Sequence, residues 1–147
     1  MKSFNIKQRG FTLVELMIVI AIIGILASIL VVSLRQASER SRNAKIITDI
    51  VQVRKIAEQI YTEEIMSGYT DLCKDSSTFN SDDYTDLGIL QTDIEKYGGA
   101  VYCYANSDSY CVSSSFRTSG QWFCVDDDGS SIEVTGNPCL SADSNCQ

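Results

Sequence analysis

Histidine is absent from the 147 residues, proline occurs once, at Pro138, and tryptophan once, at Trp122. Without imidazole the chain cannot build a Ser-His or Cys-His hydrolytic pair. No Gly-rich phosphate loop and no serine-base pair stands at a recognisable spacing, so catalysis is not expected. The lack of any proline between Phe11 and Gly68 leaves nothing of that kind to break a helix there. Cysteine is missing before Cys73, and charge is missing from the nineteen residues Leu16 to Leu34. At ~1.5 Å per residue, a helix of that length covers ~28 Å, about one hydrocarbon core, so this stretch can span a bilayer.

Just before the uncharged run stands one acid, Glu15, inside Arg9-Gly10-Phe11-Thr12-Leu13-Val14-Glu15. A carboxylate among aliphatic residues near a membrane interface costs a few kcal/mol unless it is paired or hydrated. Its first-turn position also suits a helix dipole, with Thr12 as a weak cap. Gly10 to Glu15 followed by Leu16-Met17-Ile18-Val19-Ile20-Ala21-Ile22-Ile23-Gly24-Ile25-Leu26-Ala27 resembles the processing and assembly segment of type IV pilins and pseudopilins. The resemblance implies that a prepilin peptidase cuts between Gly10 and Phe11 and methylates the new amino terminus at Phe11. It also implies that Glu15 pairs with the Phe11 amine of a neighbouring subunit in the filament core. The apolar segment would then be kept, unlike that of a secretory signal peptide. Many major pilins carry a helix-breaking proline where this chain has Val32, a departure that leaves assignment as a major subunit open.

Charge divides unevenly along the chain. The leader, residues 1–10, holds Lys2, Lys7 and Arg9; residues 11–68 hold six bases and six acids; residues 69–147 hold three bases and thirteen acids, a net charge of −10. Such an acidic head repels a polyphosphate backbone, so direct DNA binding is disfavoured. Basic surfaces, cations and other subunits suit it better. Arg35, Arg40, Arg42 and Lys45 beyond the span nearly balance the leader's cations, so the positive-inside rule does not orient the helix, and a cytoplasmic amino end rests on the leader motif. The cluster Arg40, Arg42 and Lys45 reads as a solvated helix face, with lipid headgroups or acidic residues of the next subunit as the competing contacts.

All six cysteines, Cys73, Cys103, Cys111, Cys124, Cys139 and Cys146, fall in the acidic part. An even count there, with no CxxC pair, reads as disulfides in an oxidising compartment rather than zinc ligands. Short loop closure favours Cys139 with Cys146, and a hairpin favours Cys111 with Cys124.

Beyond Leu34 the apolar residues thin to a stripe, Ile46, Ile47, Ile50, Val53, Ala57, Ile60 and Tyr61, at helical spacing. One helix from Thr12 to about Met66 is expected, its second half bracing the head. Residues 69–99 read as a connection, tied down by Cys73, with a helical turn near Asp93 to Tyr97. Four strands follow, Ala100–Ala105, Tyr110–Phe116, Gln121–Asp126 and Ser131–Thr135, as an antiparallel meander. One face of it should lie on the helix stripe and the other toward water or a neighbour, with Trp122 and Phe123 in packing roles rather than in carbohydrate binding. Asp126-Asp127-Asp128-Gly129 between two strands offers oxygen ligands for calcium, and equally forms an ordinary hairpin turn. The end of the chain, Gly136 to Gln147, reads as a stapled surface loop.

The expected fold is α+β: a long amino-terminal helix, apolar in its first half, packed on a small antiparallel sheet. The expected parts are a leader (1–10), a transmembrane or filament-core helix (11–34), an amphipathic half (35–68) and a disulfide-stapled head (69–147). The resemblance implies a single-pass precursor with its amino terminus in the cytoplasm, handled by inner-membrane assembly machinery together with other pilins. The mature form would be a homo-oligomeric filament at the cell surface or in the periplasm, serving adhesion, motility or DNA uptake. The alternative is a pseudopilin of a type II secretion or competence machine. A third reading, from a different class, is a binding module on a plain membrane anchor.

Overall fold

The computed structural model describes residues 10–63, 68–117, 120–140 and 145–146. The leader before Gly10 and the expected helix end at Met66 lie outside them. Two compact units divide the chain after Glu39.

A single helix, α1 (Leu13–Glu63), runs through both units. In the first unit its apolar side chains from Leu13 to Leu34 are exposed, Phe11 at 83% and Leu34 at 67%, and none of its most apolar window is buried. The two serines there turn their hydroxyls back on the helix, Ser28 donating to the Ile25 carbonyl at 2.7 Å and Ser33 to that of Ile29 at 3.2 Å. Both hydroxyl protons are thus satisfied within the helix itself.

The second unit is the head. After α1 come a short 3-10 turn (Thr70–Leu72), β1 (Cys73–Asp75), β2 (Thr78–Phe79), α2 (Thr85–Lys96) and four strands, β3 (Val101–Ala105), β4 (Tyr110–Ser115), β5 (Gln121–Asp126) and β6 (Ser131–Thr135). β1 and β2 form a two-stranded ribbon; β3 to β6 form an antiparallel meander in sequence order. Ile46, Ile50, Val53, Ala57 and Ile60 of α1 are fully buried against Val101, Cys103, Tyr110, Val112, Phe123 and Val125 of the sheet. Ile47 is half-buried, and Tyr61 is mostly exposed while its ring stacks on Tyr69 at 4.7 Å.

Where a helical turn near Asp93 was expected, α2 has twelve residues. Leu87, Leu90 and Ile94 supply the buried stripe that holds it. Its end is a Schellman motif: Gly98 adopts φ +91°, Gly98 N–H donates to the Glu95 carbonyl at 2.9 Å, and Gly99 N–H donates to that of Ile94 at 3.0 Å. Lys45 ties the two helices together, 2.8 Å from the fully buried Asp49 and 3.7 Å from Asp93 of α2. The Asp49 carboxylate raises the Lys45 ammonium above the ordinary lysine range. Of the three bases expected to form a solvated face, Arg40 and Arg42 are exposed and Lys45 is engaged.

The sheet differs from expectation on its second face, which does not lie toward water or a neighbour throughout. β4 is buried at every residue from Tyr110 to Ser114. The chain after β6 supplies the cover, its Cys139 and Cys146 packing with Cys111, Cys124, Tyr102 and Val134. Residues 136–140 and 145–146 therefore act as a strap on the sheet rather than as a wholly exposed loop, although Leu140 remains exposed. Phe123 faces the helix side and is buried; Trp122 is half-buried on the strap side, edge-on to Tyr102 at 5.3 Å.

Candidate functional site: the processing and assembly end

The helix begins at Leu13, its first bond running from Leu16 N–H to the Thr12 carbonyl at 3.3 Å, so the Gly10–Phe11 bond lies outside the helix in exposed backbone. A peptidase needs such accessible, non-helical backbone, because an amide locked in an α-helix cannot be drawn into an extended cleft.

Immediately after it, Thr12 and Glu15 close a reciprocal cap. Thr12 N–H donates to Glu15 Oε2 at 2.9 Å, Thr12 Oγ1 donates to the same oxygen at 2.7 Å, and Glu15 N–H donates to Thr12 Oγ1 at 3.3 Å. This is a capping box, which satisfies amides that the first turn leaves without partners. Thr12, expected to cap only weakly, takes part in all three bonds. The S/T-x-x-E pattern at 12–15 was the sequence signal for it. The carboxylate of Glu15 therefore points to the amino end of its own helix, beside the residue whose amine a cut after Gly10 would free.

Comparison with known proteins places this end. A model of the prokaryotic N-terminal methylation motif matches residues 5–31. The chain carries a prepilin-type amino terminus. The type II secretion system core protein G of Escherichia coli (strain K12) is 53% identical over 45 residues, 31% of each chain. The type IV major pilin protein PilA of Myxococcus xanthus is 39% identical over 61 residues, 42% of this chain and 28% of that one. A fimbrial protein of Pseudomonas aeruginosa is 40% identical over 65 residues, 43% of this chain and 42% of that one. The chain matches about a third of the length of the secretion proteins it resembles. No solved structure matches it. The likeness to pilins and pseudopilins read from the leader and helix is borne out, as is the α+β layout of long helix and antiparallel sheet.

The remaining candidate residues lie in the head. The cysteines form three disulfides, Cys73–Cys103, Cys111–Cys139 and Cys124–Cys146. Cys73 does tie down the connection, here to β3. Both expected pairings, Cys139–Cys146 and Cys111–Cys124, are wrong, and the register explains the second. Cys111 lies opposite Asp126, and Cys124 opposite Ser113. The two cysteines share a face but sit diagonally, where Cα atoms in a sheet are ~7–8 Å apart, longer than the usual ~4.4–6.8 Å of a bridge. Cys139 and Cys146 each reach down to a different strand instead of to each other, with Cα separations of 5.5 and 5.6 Å. Among the described residues, the metal-sized cluster of donor atoms is Cys111, Cys124 and Cys139, and these sulfurs are already covalently paired.

The calcium candidates sit in the β5–β6 turn. Asp126 is 1% exposed; its Oδ1 accepts from Ser130 N–H at 2.8 Å and its Oδ2 from Cys146 N–H at 2.9 Å. Asp127 accepts from Tyr110 N–H at 3.2 Å, and Asp128 is exposed. Arg54 of α1 donates to the Gly129 carbonyl at 3.0 Å, so a cation already holds the turn from the helix side. The turn serves as a structural joint between helix, hairpin and strap.

Proposed function

We propose that the chain is a subunit of a type IV pilus-like filament, made as a membrane-anchored precursor, cut between Gly10 and Phe11 and methylated at Phe11. The observation that carries this reading is the methylation motif at 5–31 coinciding with a helix whose apolar residues 13–34 are left uncovered. Such a surface has two stable surroundings, lipid and other helices. Leaving lipid gains little hydrophobic energy, so helix packing and the pairing of Glu15 with a neighbour's Phe11 amine direct assembly. The capping box holds the carboxylate ready at the helix end. In this reading the precursor's amino terminus is cytoplasmic, its partners are prepilin peptidase, other pilins and the inner-membrane assembly machinery, and the head is a structural part with no catalytic role.

The second reading is a pseudopilin of type II secretion, favoured by the 53% identity to a protein of that name. Adhesion, motility or DNA uptake would follow from the first reading and export from the second. Shearing cells, labelling the released material with an antibody to the head and taking its unreduced intact mass tests both. Abundant labelled filaments lacking Met1 to Gly10 and carrying one added methyl group support the pilus. Trimmed chain confined to membranes supports the pseudopilus. An uncut monomer overturns both in favour of an anchored module. Changing Glu15 to Ala should abolish filaments while cleavage continues; filaments at the normal level would refute the pairing.

A further inference from the structure

The two disulfides of the strap touch. Cys124 Sγ lies 3.6 Å from Cys111 Sγ and 3.8 Å from Cys139 Sγ, so the sulfur of one bridge is in van der Waals contact with both sulfurs of the other. All four cysteines are buried. The third bridge, Cys73–Cys103, belongs to the other face of the sheet, where Cys103 packs in the helix-side core. Thiol–disulfide exchange needs a thiolate against a disulfide sulfur, and its rate depends on access above all once the thiolate forms. Once a Cys124 thiolate exists, both target sulfurs already lie at contact distance, so the internal step needs no further opening of strap or sheet.

We infer that Cys111, Cys124 and Cys139 form an intramolecular exchange site that moves the strap's remaining covalent tether from β4 to β5 when the Cys124–Cys146 bridge is lost. The reductant is an external dithiol. It reduces Cys124–Cys146 to two thiols and is itself oxidised to a disulfide. The Cys124 thiol gives up its proton, and the thiolate attacks Cys139 Sγ. A Cys124–Cys139 bond forms, the Cys111–Cys139 bond breaks, and its electron pair leaves on Cys111 Sγ, which takes up a proton. The products are one bridge and two thiols, Cys111 and Cys146.

Attack on Cys111 Sγ, although as near, leads to the diagonal Cys111–Cys124 bridge across β4 and β5, which the sheet register disfavours. Attack on Cys139 has no such obstacle, because Cys139 belongs to the strap. The strap is also held over this spot: Ser113, the residue opposite Cys124, donates to Asn137 Oδ1 at 2.8 Å, and Cys139 N–H donates to the same oxygen at 3.0 Å. The end of the chain at Cys146 is thereby released while the rest of the strap stays on the sheet, its tether moved from β4 to β5.

The test uses the full chain in detergent micelles with a Cys146→Ser substitution, which removes the outer bridge without a reductant. The remaining thiol is trapped by alkylation at acid quench, and the bridges are mapped by mass spectrometry. Label on Cys111 at the same order as label on Cys124, with a Cys124–Cys139 peptide, is the expected result. Label on Cys124 alone overturns the inference, and so does label on Cys139 with a Cys111–Cys124 peptide. The wild-type chain treated with substoichiometric dithiothreitol gives the same readout without a substitution: alkylated Cys111 and Cys146 support exchange, whereas alkylated Cys124 and Cys146 with Cys111–Cys139 intact overturn it.

Discussion

Asp126 carries a quantitative prediction about how the head holds itself together. Its carboxylate accepts from both the β5–β6 turn and the strap, through Ser130 N–H at 2.8 Å and Cys146 N–H at 2.9 Å. Hydrogen bonds to a charged group contribute ~1.5–3 kcal/mol each, and a buried amide left without a partner costs ~1–3 kcal/mol. Asp126→Ala removes both bonds and also relieves the cost of burying a carboxylate, which brings the expected loss to about 3 kcal/mol. For a domain near a hundred residues that lowers the melting temperature by roughly 10–20 °C. Asp126→Asn is the sharper probe, because an amide accepts with its oxygen but presents N–H groups where the second donor lies. It should recover less than half of the loss.

Both variants should be unfolded thermally with the disulfides intact, followed by Trp122 fluorescence, since Trp122 stands on the same strand as Asp126. A cost below ~1 kcal/mol for the alanine variant, or an asparagine variant equal to wild type, would refute the reasoning.

Calcium should leave the melting temperature of the wild-type head nearly unchanged relative to a chelator, because the Asp126 oxygens already accept from amides and Arg54 holds the turn; a rise of several degrees at millimolar calcium would show that the turn reorganises around the ion. Gly68→Ala should cost at least ~2 kcal/mol by urea unfolding, since Gly68 has φ +61° and an added Cβ would overlap the Ser107 carbonyl oxygen; a loss under ~0.5 kcal/mol would contradict that contact. Burial, with the nearby Glu58 carboxylate second, pushes the Tyr69 phenol up to about 12 from an ordinary value near 10, and burial raises Tyr110 as well. The folded state therefore holds these protons more tightly than the unfolded chain, so stability is unaffected below pH ~10 and falls as pH rises from there through ~12. Stability measured against pH should fall less steeply in a Tyr69→Phe variant, and an unchanged slope would remove Tyr69 from the account. The Tyr110 hydroxyl is buried and has no hydrogen-bond partner among the described residues, so Tyr110→Phe should be neutral or stabilising at pH 7.

The parts legible in the sequence are those fixed by a local period. α1 follows from an uncharged run and a stripe at three and four residues, and the four strands of the meander from short apolar runs between polar turns. Only the end of α2 was legible, as a turn near Asp93 to Tyr97, because Asp, Thr and Gly88 mask the pattern before it; Leu87, Leu90 and Ile94 with Gly98-Gly99 behind them were the available signal for its full length. The β1–β2 ribbon is only three and two residues long, too short for a period to form. Disulfide pairing depends on the register between strands and on the path of the strap, both set by tertiary packing. For the same reason, the alternation of Tyr102 and Tyr104 with Val101, Cys103 and Ala105 in β3 suggested a second face open to water or a neighbour, whereas the strap covers that face at β4.

At the amino end the reverse holds: the likeness of the segment holding Gly10, Phe11 and Glu15 to prepilins was legible by type and spacing, and the methylation motif matches residues 5–31. Under the proposed function that segment would have to fit a peptidase, cross a hydrocarbon layer of fixed thickness and pack on other helices, so few sequences would serve. The head meets a looser demand. It must bury the stripe of α1 on one side of a sheet and cover the other side, here with a strap held by two bridges and Asp126, and many combinations of strands and staples do that. This difference in constraint accounts for why the family model ends at residue 31 and the recognisable relatives align over 45 to 65 residues. It also means that the shared segment cannot separate a pilus from a secretion pseudopilus. Those two differ in what the heads touch, so the acidic head is where the distinction must be sought.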